Sequence, residues 1–558
     1  MYFCAAIVCR FILPQTGHMN NNQIVDILKD SGPLLSNELI KKLVTIHGIN
    51  EATARTRIKR AAASRVISVS PAKFKNNSRL YFLKDQPLKN KVIEIMTPID
   101  SPESHIFNAL SVEHGFLFWD EFCKLTACSL LEIPGKKTVE QVVENLSELN
   151  VITVVNADDV NNRYVKFSSD FLNSHFSAND LELRRRSLHI NRSLLEELIN
   201  WLERISIVGW NTGKISNHGD LVVFNGYPFD ARGFSYILGL YRTDKKDTLY
   251  NPSMEKAGSP VLVDCIVHRA TKIFDIVAFI KRIENVNGPI NLLKNPNFKT
   301  IPIFFVTYID SDAHELAKRK GIIIIPIKEV FDNNFIKVLE KIMKLPTENI
   351  TLGSLEEILE IMQISPQEEK EPTVEKMGVS EGIFNNLKGI VFNFVIAYIF
   401  AELGYGQQKI GTIYKGVLED PEVKEPCECD LTSATRRSDT KIICEVKVRS
   451  QNQLIKLGEN MDENDSVKRF FERTHRIIQN TIDKNQLFYI PIFITSSEFE
   501  GTAIEYMDRR LGKEMKAKIE RLGNTFPRKL YYGKQDLIEL SNYLESGQEI
   551  RRILNEYF

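Results

Sequence analysis

Asp430 and, fourteen residues later, Glu445-Val446-Lys447 are the residues of this chain whose types and spacing point most directly to chemistry. Two carboxylates can hold a hard divalent cation that keeps some of its waters. Such an ion lowers the pKa of a bound water and offsets charge building on a phosphate. An ammonium beside them can position that water and stabilise the extra negative charge. These groups suit metal-dependent hydrolysis of a phosphodiester. Glu445 and Lys447 stand two apart in the apolar run Ile442–Val448, so a strand there puts both on one face. Glu and Lys at alternate positions also occur on an ordinary solvated sheet face. Ile442, Ile443 and Cys444, however, precede Glu445 without alternation, which indicates a strand buried on both faces. A buried Glu or Lys needs a partner or a metal.

The surrounding elements must bring these groups together. Gly389 to Ala397 carries apolar residues at helical spacing and runs on to Gly404-Tyr405, so it reads as a buried helix closed by glycine. A strand ending in Asp430 follows, then a polar turn at Arg436-Arg437-Ser438-Asp439, and then the Glu445/Lys447 strand. A helix from about Ser466 to Lys484, the apolar strand Phe488–Thr495 and a helix from about Thr502 complete the order αββαβα.

In these residues and this order the segment resembles the PD-(D/E)xK superfamily, the fold of many restriction endonucleases, resolvases and repair nucleases. The resemblance covers residues 380–558 and implies an αβββαβ nuclease domain. It implies Asp430 and Glu445 as ligands of Mg²⁺, with Mn²⁺ able to substitute, and Lys447 as the catalytic lysine. Relatives often place a Glu on the first helix; Asn393 stands there, an amide that can ligate or position water with less charge. The proline that names the family is missing immediately before Asp430, although Pro426 is close. His475, Arg476, Lys468 and Gln407 are either DNA contacts near the cleft or plain surface residues.

Residues 22–86 read as three helices and a hairpin, and resemble a winged helix-turn-helix domain. The third helix, Glu51 to Ser64, is the element that such domains place in the major groove, while the hairpin touches phosphates. The resemblance makes Thr53, Arg57 and Thr56 candidates for base edges. It makes Arg55, Lys59, Arg60, Lys73, Lys75 and Arg79 further DNA-binding candidates, the last three at the hairpin tip. A solvated charged helix on a protein-interaction domain is the other reading. Residues 87–170 read as a second, winged-helix-like copy with helices at Ile106–Ser111, Leu117–Leu125 and Val139–Leu149 and a hairpin from Val151 to Phe167. Its third helix bears Glu140, Glu144 and Glu148, which phosphate would repel, so it reads as a packing or protein-contact element.

Residues 188–345 repeat the nuclease order in a degenerate form. The aligned triplet is Asp230, Asp264 and Ile266, without the lysine, and implies an inactive domain that scaffolds or binds DNA. An ordinary Rossmann-like α/β domain remains open, as does a separate site at Asp264, His268 and Lys272. Residues 346–379 include Pro366-Gln-Glu-Glu-Lys-Glu-Pro372 and read as an acidic linker that lets the C-terminal module swing. Residues 1–21 read as an unstructured extension, because Tyr2–Cys9 is apolar but too short to span a membrane and Met19 opens a more ordinary start.

Composition agrees with a multidomain protein of α/β plus α+β class: 558 residues, 43% apolar and 26% charged. Lys and Arg together number 72, equal to Asp and Glu, so no overall basic charge announces nucleic acid, and basic surface must be local. Eight cysteines without regular spacing imply reduced thiols and a cytoplasmic location. Cys427, Cys429 and Cys444 leave a zinc or redox cluster open. The expected partner is double-stranded DNA and not a membrane. One intact triplet implies that double-strand cleavage would need a homodimer or sequential nicking. The expected activity is that of a restriction or defence endonuclease; a non-catalytic DNA-binding regulator that keeps a nuclease fold is the alternative.

Overall fold

The computed structural model describes residues 17–74, 78–156, 163–172, 176–216, 221–237, 258–292, 300–331, 333–345, 350–368, 381–418, 424–434, 440–449, 453–463, 465–482, 488–521 and 526–558. The protein is a mixed α/β chain that divides into two compact units. The first comprises Met1–Val112, Val139–Thr153 and Phe167–Asn173; the second comprises Glu113–Thr138, Val154–Lys166 and Ser174–Phe558. Among the described residues no helix is long and apolar enough to cross a membrane.

The first unit opens with α1 (Gly17–Ser31), β1 (Leu34–Leu35), α2 (Ser36–His47), α3 (Glu51–Ala63), β2 (Ser68–Val69) and β3 (Leu80–Phe82), the strands ordered β1-β3-β2. Ile24, Leu28, Leu39, Leu43, Ala54 and Ile58 close its core. Gly48 ends α2 at φ 61°, and the Asn50 side chain caps α3 by accepting from the Thr53 N–H at 2.8 Å. The helix α1 begins inside the segment expected to be an unstructured extension, and residues 1–16 lie outside the described residues.

The chain continues through α4 (Lys89–Met96), α5 (Pro102–Val112), β4 (Phe116–Phe118), α6 (Trp119–Thr126), α7 (Val139–Glu148), β5 (Ile152–Val155) and β6 (Tyr164–Phe167). Helices α4, α5 and α7 belong to the first unit, whereas β4 and α6 belong to the second, so the segment expected to be one second copy is divided. The helix expected from Leu117 starts instead at Trp119. Phe116-Leu117-Phe118 is an apolar, strand-favouring triplet that pairs antiparallel with β6, Leu117 opposite Val165.

In the second unit, α8 (Ala178–Arg204), β7 (Lys214–Ile215), β8 (Val222–Phe224), β9 (Tyr227–Phe229), β10 (Ala231–Ser235), β11 (Ser259–Thr271), α9 (Ile273–Leu292), β12 (Ile301–Ile309), α10 (Ser311–Arg319), β13 (Ile323–Pro326) and α11 (Asn333–Lys344) form a first α/β module. After α12 (Leu352–Glu368), a second α/β module follows. It contains α13 (Glu381–Glu402), β14 (Gly406–Val417), β15 (Lys424–Ala434), β16 (Thr440–Lys447), α14 (Val467–Arg469), a π-turn at Phe470–Thr474, α15 (His475–Ile482), β17 (Phe488–Thr495), α16 (Gly501–Arg510), α17 (Lys513–Arg521), β18 (Tyr531–Tyr532), α18 (Lys534–Ser541) and α19 (Gly547–Tyr557).

The two modules share one topology. The first sheet is ordered β7-β10-β11-β12-β13 and the second β14-β15-β16-β17-β18. In each, the first three strands are antiparallel neighbours, and the last three are parallel and joined by helices. Helix α8 extends far upstream of the segment expected from Leu194. Its N-terminal half carries the Arg184-Arg185-Arg186 run, of which Arg185 and Arg186 are buried. The segment 346–379, expected to be a linker, is helical over Leu352–Glu368. Leu352, Leu355, Ile358, Leu359 and Met362 are buried in a core shared with both modules. Their i, i+3/i+4 spacing gives the helix an apolar stripe that outweighs the acidic composition.

Candidate active site

Strands β15 and β16 pair antiparallel with Leu431 opposite Cys444; one step further, Asp430 faces Glu445. Asp430 is therefore interior to its strand, which runs on to Ala434, and not at its end. The Val446 N–H donates to Asp430 Oδ2 at 2.8 Å and fixes that carboxylate against the neighbouring strand. Lys447 Nζ lies 3.3 Å from Asp430 Oδ2 and 2.9 Å from Glu445 Oε1. Each of the three side chains is close to one-fifth exposed: Asp430 19%, Glu445 17% and Lys447 20%. They converge at a half-open position, neither sealed nor fully solvated.

Burial pushes the Glu445 carboxyl up to about 7, with the Asp430 charge adding to the effect and Lys447 opposing it. Burial alone would lower the Lys447 ammonium, but Asp430, Glu445 and Asp465 outweigh it and hold the group well above the usual lysine range. Asp465 was not singled out in the sequence. Its Oδ1 lies 3.6 Å from Lys447 Nζ and its Oδ2 2.6 Å from Arg449 Nη2. Burial raises its carboxyl, yet Lys447 and Arg449 hold it below the ordinary value. The backbone of Asp465 stands at φ 59°, a conformation rare outside glycine, which marks the position as over-determined by its surroundings. Its one legible signal is its place immediately before Ser466, whose side chain caps the next helix. Asp465 and Arg449 also line a groove of about 740 Å³.

Asn393 sits on α13, which packs against β15 and β16; its side chain is buried and Oδ1 has no hydrogen-bond partner among the described residues. Asp430 and Glu445 are the two acids that meet at Lys447 and could hold a cation there. Among the described residues no group of three or more His, Cys, Asp or Glu is placed to bind one, so waters would complete the shell of an ion held here. The sulfurs play no such part. Cys429 donates to the Leu431 and Cys444 carbonyls, Cys427 contacts the Thr474 carbonyl, and burial pushes all three thiols up. His475 is pushed down to about 4 by burial and by Arg510 and Arg476, so it is uncharged at neutral pH. Lys468 is tied to the Glu459 carbonyl at 2.8 Å, and Arg476 is exposed. The Gln407 side chain and the turn 435–439 lie outside the described residues.

The first module repeats the register of the acid pair. Ala231 pairs with Val263, so Asp230 faces Asp264, and the Cys265 N–H donates to Asp230 Oδ2 at 2.9 Å as Val446 does to Asp430. Ile266 stands where Lys447 does. Lys124 of α6 instead places Nζ 2.8 and 2.7 Å from the two Asp230 oxygens, and Arg282 of α9 contacts Asp264 Oδ2 at 2.5 Å. The site considered at Asp264, His268 and Lys272 does not assemble. His268 lies against Glu121, Lys272 against Asp310, and Asp264 against Arg282.

On the first unit, α3 buries Ala54, Ile58 and Ala61 and leaves Arg55, Thr56, Lys59 and Arg60 exposed together. Arg55 pairs with Glu51 at 3.5 Å, Arg57 is half-buried and donates to Gln23 at 3.1 Å, and Thr53 lies in the capped first turn. Lys73 is exposed at the approach to the hairpin tip, Arg79 is half-buried and tied through its backbone to Ser36, and Lys75 lies outside the described residues. No protein-family model matches the chain, and no curated protein and no solved structure matches it.

Proposed function

We propose that the second α/β module hydrolyses phosphodiester bonds in double-stranded DNA, using Mg²⁺ or Mn²⁺ held by Asp430 and Glu445. The observation that carries this reading is the convergence of both carboxylates on the Lys447 ammonium across two paired strands. A bound ion would supply an acidified water and offset charge on the phosphate. Asp430, oriented by the Val446 N–H, and Glu445 form the anionic cradle. Lys447 stays protonated, so it donates toward the developing negative charge and does not act as a base. Asn393 offers a buried amide oxygen without a partner, a neutral acceptor on the helix behind the cradle. The module resembles the PD-(D/E)xK fold in its strand order and in the position of these groups.

The first unit supplies DNA binding in this reading: the exposed Arg55, Lys59 and Arg60 of α3 and Lys73 of the hairpin face solvent as phosphate ligands would. With one cradle carrying an open acid pair, cleavage of both strands would require two copies of the chain or two successive nicks. Supercoiled plasmid incubated with Mg²⁺ tests the reading against Glu445→Ala and Lys447→Ala. Nicking or linearisation by the unaltered protein that both substitutions remove, with DNA binding retained, is the expected result. Equal residual cleavage in all three proteins would refute the enzymatic reading and favour a non-catalytic DNA-binding protein.

A further inference from the structure

The acid pair of the first module lacks a lysine in its own strands, and two cations reach it from elsewhere. Lys124 comes from 106 residues upstream of Asp230, on a helix that packs against α9 and β9. It engages both Asp230 oxygens, the position relative to this acid that Lys447 takes toward Asp430. Arg282 engages both Asp264 oxygens at 3.3 and 2.5 Å, donates to the Pro228 carbonyl and lies over the Phe229 and Phe279 rings.

Three comparisons separate this site from its twin. Charge differs first: Asp230 and Asp264 each have a cation of their own, while Asp430 and Glu445 share Lys447. Access differs next, because the side chains of Asp230, Asp264 and Arg282 are only 7%, 4% and 1% exposed. Space differs as well. A cavity of about 30 Å³ touches Lys124, Asp264 and Arg282, room for one or two waters, whereas in the twin Asp465, which contacts Lys447, lines a groove of about 740 Å³.

We propose that Asp230 and Asp264 form a cation site filled by the protein's own Lys124 and Arg282, an internal lock that seats residues 113–138 on the first module and leaves it without a metal. Neighbouring contacts run the same way. Arg184 pairs with Glu113 and Glu121, Arg192 with Asp120, and the Leu130 N–H donates to the Gly226 carbonyl in the tight turn that leads to Asp230. The fixed charges of Lys124 and Arg282 stand where a divalent ion would otherwise have to offset two acids taken out of water.

Thermal unfolding and Mn²⁺ equilibrium dialysis on the full chain test the lock. Lys124→Met strands a buried carboxylate and is expected to lower Tm by roughly 5–10 °C. Adding Asp230→Asn, which removes that charge at nearly equal volume, is expected to recover at least half of the loss. Asp230→Asn alone is expected to leave the number of bound Mn²⁺ ions unchanged. Loss of a Mn²⁺ ion in Asp230→Asn overturns the proposal by showing a metal site. A double variant no more stable than Lys124→Met overturns it by showing no coupling between the two groups. Absence of Mn²⁺ binding by the unaltered protein bears on the nuclease reading, while the coupling measurement still decides the lock.

Discussion

The two α/β modules place an acid pair at the same register of the same sheet and then treat it in opposite ways. In the first, four charged side chains cancel pairwise in a nearly sealed interior. In the second, two carboxylates share one lysine at a position about one-fifth exposed, and burial pushes Glu445 up to about 7. The comparison teaches that the backbone topology supplies only the juxtaposition of two acids. What the juxtaposition can do depends on whether the compensating charge is permanent and internal or must come from outside.

The strongest way to break this contrast is to strip the first pair of its buried guanidinium. Arg282→Met leaves Asp264 without its partner and is expected to cost about 3–5 kcal/mol of stability, read by urea unfolding. A loss below about 1 kcal/mol would mean that water already compensates the acid. Next in size, Lys447→Ala is expected to slow plasmid cleavage by roughly two orders of magnitude or more, with Tm little changed. Asp230→Asn, a change to the acid pair of the first module, is expected to leave the cleavage rate within about twofold.

A pH series sharpens the contrast further. The folded protein holds a proton on Glu445 up to about 7, above the ordinary value of 4.5, so it binds more protons than the unfolded chain in that window. Stability from this group is present below pH 4.5 and is lost as pH rises through about 7. Glu445→Gln should flatten that decline and overtake the unaltered protein in Tm at pH 8, with no advantage at pH 4. In the unaltered protein Mn²⁺ affinity should rise over the same window, because the ion competes with the proton. Smallest of all, Asp465→Asn is expected to slow cleavage only several-fold, since Asp465 is 45% exposed and its two cations keep other partners or solvent.

Much of the second module was legible because its signals are local. The run Phe488–Thr495 is uninterrupted and apolar and forms β17 over those same residues. Gly404 closes the helix before the sheet at φ 81°, a stop readable from residue type. Strand β14 escaped the residue pattern because Gln407-Gln408-Lys409 and the glycines at 411 and 416 interrupt its apolar positions. It is an edge strand, stabilised by its pairing with β15 and not by alternation.

The acid pairs were visible as residue types, and their cross-strand facing followed from the strand order. Lys124 was not, because its meeting with Asp230 depends on a fold-back across 106 positions that no local period encodes. Arg186 carries no local signal of its place either: it is 2% exposed and lies over the Phe394 ring. Burial of so polar a group is a tertiary outcome.

The helix between the modules ties their two cores together. Because α12 packs on α11, α13 and α19, and Arg552 bridges to Glu356 across that packing, it acts as a girder instead of a tether. Its buried stripe over residues 352–362 joins one core with residues of both sheets, so a substitution that loosens that stripe is felt in both modules.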